Sequence, residues 1–118
     1  MATQRSVLSM GITAPPELQA KLEASTKQAL EAGYDFEMIQ FDVANLSSEQ
    51  GRIKEKLLSK RWDGVIVGFG VRGNPELTGI FETLVNTASE ILPGIRFGFA
   101  SSPDDVFPCV VRNFGQSE

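Results

Sequence analysis

Two hydrophobic periods alternate along this chain. Compact apolar runs occupy residues 6–12 (SVLSMGI), 34–43 (YDFEMIQFDV), 65–67 (VIV) and 95–100 (IRFGFA). Between them apolar residues recur every three or four positions, the spacing that lines one face of a helix. Over 17–32 they are Leu18, Leu22, Ala29 and Leu30. In the segment after Ser47 they are Ile53, Leu57 and Leu58, with Trp62 packed near its end. The widest face, Leu77, Ile80, Phe81, Leu84, Val85, Ala88, Ile91 and Leu92, follows residue 74.

Start and stop residues agree with this division. Pro15 and Pro16 suit a first helical turn, where the missing N–H costs nothing. Gly33 suits a helix end. Ser47 with Gln50 has the spacing of a capping box. Asp63 and Gly64 turn the chain into VIV. Asn74 and Pro75 read as an N-cap and first helical residue, so this helix is expected to begin after the glycine-rich loop GFGVRGNP. Pro93-Gly94 ends it. Pro108 limits the last segment to a short helix over 108–114, and residues 116–118 read as a frayed end.

The resulting order, βαβαβαβα, predicts parallel pairing through helical crossovers. The continuous run VIV suits a central strand covered on both faces; 34–43 alternates Phe36 and Met38 with Glu37 and Ile39 and suits an edge. The expectation is one α/β domain spanning 1–118. It is a three-layer sandwich with a four-stranded parallel sheet in order 2-1-3-4, flavodoxin-like or Rossmann-like.

Composition narrows the chemistry more than it selects it. The chain of 118 residues is 42% hydrophobic and 22% charged, with a formal charge of −4. Such a field favours neither nucleic acid nor an anionic membrane. A single cysteine, Cys109, excludes an internal disulfide, and the absence of histidine excludes His triads, His-ligated zinc and a His general base. Cys109 reads as a buried, inert thiol, and Asp104-Asp105 as helix first-turn acids. No metal site is expected, and no cofactor is assigned. Residues 1–12 reach a strand without a secretory apolar region, so a soluble cytoplasmic protein is expected.

A site is expected beyond the carboxyl ends of strands one and three, where the strand order switches. This gathers Thr13, Gly68, Phe69, Gly70, Arg72, Asn74 and Ser101, with Ser102 beside them and Asp42 and Asn45 on the far side of strand one. Glycine amides, a helix start and the Arg72 guanidinium together suit a small anionic or polar ligand. Phe69 either covers the ligand or plugs the core. The pattern G-x-G-x-x-G at 68–73 differs from a dinucleotide fingerprint: it follows the third strand, and no ribose-binding acid stands 20 residues on. The first expectation is thus a small-molecule-binding protein, enzymatic or not. The alternatives are a homodimeric assembly module burying the IRFGFA edge and a nucleotide-binding enzyme.

Residues 27–70 carry two motifs, Ala32-Gly33-Tyr34 before the second strand and Asp63 to Val67 in the third. In these the chain resembles one lobe of the periplasmic sugar-binding and LacI-type regulator domains. The resemblance implies a parallel α/β lobe. It ends at Gly70, and a sugar cleft between two lobes is not implied. Response-regulator receivers share the architecture, but Gly68 stands where their phosphoacceptor aspartate would be. Flavodoxins use a hydroxyl-rich loop after strand one, where this chain has only Thr13.

Overall fold

The computed structural model describes residues 4–115. Four strands, β1 (Ser6–Ile12), β2 (Asp35–Phe41), β3 (Gly64–Val67) and β4 (Arg96–Phe99), form one all-parallel sheet in the order β2-β1-β3-β4. This is the order expected from the sequence. Register places Ser9 beside Met38 and Ile66, and Gly11 beside Gln40. Asp63 ties the start of β3 to β1: its Oδ2 accepts from the Ser6 amide at 2.8 Å.

Helices α1 (Pro16–Glu31) and α5 (Val106–Phe114) cover one face; α2 (Leu46–Leu58) and α4 (Thr78–Ile91) cover the other. Strand alternation splits the core accordingly. Leu8, Met10, Ile39, Phe41, Val65 and Val67 pack with Ile53, Leu57, Leu84 and Ala88. Val7, Phe36 and Ile66 pack with Ala29, Val106, Cys109, Val110 and Phe114. The three-layer arrangement follows from this two-sided burial of the sheet.

Several local features differ from the sequence expectation. Leu30 and Leu58, read as inward-facing, are 52% and 71% exposed, because each follows a buried residue, Ala29 or Leu57, and is turned about 100° around the helix from it. The Ser47–Gln50 capping box does not form. The chain enters α2 through a 3-10 turn, Val43–Asn45, whose cap is Asp42. Asp42 Oδ1 accepts from the Ala44 amide, and Glu49 returns to accept from the Asp42 amide at 2.9 Å. The glycine loop also begins its helix early. Phe69–Arg72 makes a single helical turn, α3, before a second 3-10 turn, Pro75–Leu77, leads into α4. The last helix starts at Val106, two residues ahead of Pro108, which sits in its first turn where no donor is needed. The frayed end read at 116–118 lies outside the described residues.

Candidate functional site

A cleft of about 120 Å³ opens at the carboxyl ends of β1 and β3, on the α1/α5 side of the sheet. Its floor is made by three neighbouring strands. Alternation turns Ser9 and Gly11 of β1 and Met38 and Gln40 of β2 to this face. Gly68 lies against Gly11: its amide donates to the Met10 carbonyl at 2.9 Å. A β-carbon built on Gly68 would stand 3.8 Å from the Gly11 Cα. Two glycines thus sit side by side, and a β-carbon on Gly11 meets nothing within 4 Å. The walls are Ala14, Pro15, Leu18 and Leu22 from the start of α1, Ser102, Pro103 and Val106 from the start of α5, and Phe69 and Gly70 of α3.

No charged side chain lines this cleft among the described residues. Its polar groups are the side chains of Ser9, Thr13, Gln40 and Ser102. Ser9 is only 3% exposed, and its hydroxyl has no hydrogen-bond partner among the described residues. Thr13 Oγ1 lies 3.4 Å from the Phe41 carbonyl, to which it donates. Gln40 Nε2 donates to Gln19 Oε1 at 2.9 Å and to the Ile12 carbonyl at 3.4 Å.

Of the residues singled out from sequence, Thr13, Gly68, Phe69 and Gly70 line the cleft; Arg72, Asn74 and Ser101 stand outside it. Arg72 is exposed. Its guanidinium lies 5.5 Å from the centre of the Phe69 ring, and Nη2 reaches the Ala100 carbonyl at 3.5 Å. Phe69 in turn folds back over Gly73, where an added β-carbon would come within 2.4 Å of its ring. The ring is therefore a wall braced from behind by Arg72 and Gly73. Asn74 accepts from the Glu76 amide at 3.0 Å and caps the turn. The Ser101 amide donates to Asp105, and Ser102 takes the place at the cleft.

Ser9, Gly11, Met38 and Gln40 were not singled out as site residues. The signal was present: counting by two from Val7 reaches Ser9 and Gly11, as counting from Phe36 reaches Met38 and Gln40. Only the register brings the two series together.

Other groups have structural roles. Cys109 is buried between α5 and β4, and burial pushes its thiol pKa up, which suppresses the thiolate. Asp105 accepts from Arg112 through both carboxylate oxygens at 2.8 Å, and this ion pair holds its pKa well below the ordinary carboxylate value. Asp42 caps its own turn. No cluster of three metal-ligating side chains occurs among the described residues, and no helix there is long and apolar enough to cross a membrane.

No protein-family model matches the chain, and no curated protein matches it. Among solved structures, the chain is similar to the lactose-specific IIB component domain of the phosphoenolpyruvate:carbohydrate phosphotransferase system of Streptococcus pneumoniae. The two are 12% identical, with a TM-score of 0.45 over 95% of this chain and 99% of that one. The fold described above rests on the chain's own strand order and pairing.

Proposed function

We propose that this protein binds a small, neutral, ring-sized organic molecule in the cleft at the carboxyl ends of β1 and β3. The observation that carries the reading is Ser9: a hydroxyl on a residue 3% exposed, without a partner among the described residues, on the floor of an uncharged cleft. Its Oγ stays open to water in the cleft, and a ligand carrying a hydrogen-bonding group would take that water's place. The size supports a single ring, since apolar cavities of about 150 Å³ take up benzene. Met38, Leu18, Leu22, Phe69 and Val106 supply apolar contact on several sides.

An anion fits less well, although the sequence suggested one. Arg72 is engaged with Phe69 outside the cleft. Pro15 and Pro16 open α1 and remove two of the amide donors that a helix-end anion site could use, leaving those of Glu17 and Leu18. Neutral ring compounds should shift the amide resonances of Gly11, Gly68, Phe69 and Gly70 in a 15N–1H titration. Phosphate, sugar phosphates and carboxylates should leave the Tm unchanged. Stabilisation by one of these anions, lost in Arg72→Ala, would replace this reading with the anion one.

A further inference from the structure

The chemistry of the cleft can be read one step further, on the basis of that binding reading. Gln40 lines the cleft beside Gly11, and the protein fixes which end of its carboxamide is which. Nε2 donates to the Ile12 carbonyl and to Gln19 Oε1. A backbone carbonyl can only accept. Gln19 is oriented in its turn, because its own Nε2 faces Glu23 Oε2 at 3.5 Å. An ionised carboxylate only accepts, so the chain of amides has one consistent direction. At that length the contact to Glu23 sets polarity and adds little strength. Turning the Gln40 amide over would set oxygen against oxygen at both Gln19 and Ile12.

Both amide protons of Gln40 are thereby used, and Oε1 is the polar atom left to offer a ligand. Thr13 has likewise given its hydroxyl proton to the Phe41 carbonyl and keeps only lone pairs. We propose that Gln40 determines the specificity of the cleft, and that the molecule bound there presents an uncharged hydroxyl or N–H donor to Gln40 Oε1. A cationic donor is disfavoured, because no carboxylate lines the cleft to balance a desolvated charge.

Phenol and anisole separate this proposal from the reading beneath it. They share a ring and differ in the donor. Titrations of the 15N-labelled protein, followed at Gly11 and Gly68, give their dissociation constants. One neutral-to-neutral hydrogen bond predicts that Gln40→Leu lowers the phenol-to-anisole affinity ratio about tenfold, the ratio cancelling the change of floor shape that both rings meet. Gln19→Leu leaves Gln40 in place without its orienting partner and should lower the ratio by part of that amount. Gln40→Met, closer in shape, replaces the leucine variant should that one fail to fold. A ratio unmoved by loss of the Gln40 amide overturns the proposal and leaves the binding site standing. No shift at these amides with either probe in the unmodified protein overturns both.

Discussion

Gly11→Val should make the protein more stable while abolishing binding. Gly11 lies in β1 with an ordinary backbone φ, and a β-carbon there meets nothing within 4 Å. Replacing glycine at such a position removes freedom from the unfolded chain, which stabilises by about 0.4–1 kcal/mol. Valine also favours strands and would bury part of its surface against Gln40 and Met38, on a scale spanning about 1 kcal/mol. The sum is a gain of about 1 kcal/mol, or a Tm higher by roughly 4 °C for a domain of this size. The same two γ-carbons would stand in the cleft between Gln40 and Gly68 and take the space a ring must occupy. Urea denaturation gives the first quantity, and a phenol titration gives the second. A variant less stable than the parent would mean that the space beside Gly11 is not open. A more stable variant that still binds phenol with unchanged affinity would place the ligand elsewhere.

Three further substitutions test how the frame holds this cleft. Gly64→Ala should destabilise by about 1–3 kcal/mol, because its β-carbon would lie 2.2 Å from a ring carbon of buried Phe114; most of the loss should vanish in a Phe114→Leu background, measured as a double-mutant cycle in urea. Gly73→Ala meets a ring that is 43% exposed and able to swing away, so it should change stability little but weaken phenol binding by displacing the Phe69 wall. The Asp105–Arg112 pair gives an acid dependence: the folded-state pKa of Asp105 is lowered, so its stabilisation is present above the ordinary aspartate value and drains away as pH falls below about 4. With Arg112 half exposed, Asp105→Asn should cost about 1 kcal/mol at pH 7 and flatten the stability profile between about pH 4 and 2, read from Tm against pH.

The sheet was legible because its determinants are local. Each strand is a compact apolar run, each helix has a stripe, and alternation of the two types leaves little choice but parallel strands with crossovers. The two motifs at Ala32-Gly33-Tyr34 and Asp63 to Val67 also have local explanations. Gly33 has φ of 98° and ends α1, Tyr34 is buried, and Asp63 fastens β3 to the Ser6 amide. These positions serve the sheet, so a likeness in them carries information about architecture.

The cleft was less legible because it depends on pairs of residues far apart in the chain. Arg72 was recognisable as a charge, yet its direction is set by Phe69, three positions earlier and one helical turn away. That turn was hidden, since glycines at 68, 70 and 73 read as a loop. In the structure Gly68 caps α3 and Gly73 makes room for the Phe69 ring. Gln40 acquires a role only when the register sets it beside Gly11 and the helix α1 brings Gln19 over it.

The two sides of the sheet end differently at this edge, and that difference decides the chemistry. On the α2/α4 side, α3 closes over β1: Val71 is fully buried, and a β-carbon on Gly70 would stand 3.0 Å from Ile12. On the α1/α5 side, Pro16 opens α1, and Pro103 opens the 3-10 turn Pro103–Asp105 that precedes α5. The floor there is two glycines, a serine, a methionine and a glutamine. Such a surface offers no fixed charge, and the helix-start amides at the cleft are those of Phe69 and Gly70 in the first turn of α3. Discrimination then falls to shape and to the direction of a few hydrogen bonds, where a buried group left unpaired penalises the wrong ligand more than a correct pair rewards the right one. On the proposed reading, the fixed acceptor at Gln40 and the adaptable hydroxyl at Ser9 would select among uncharged rings by where they carry a proton.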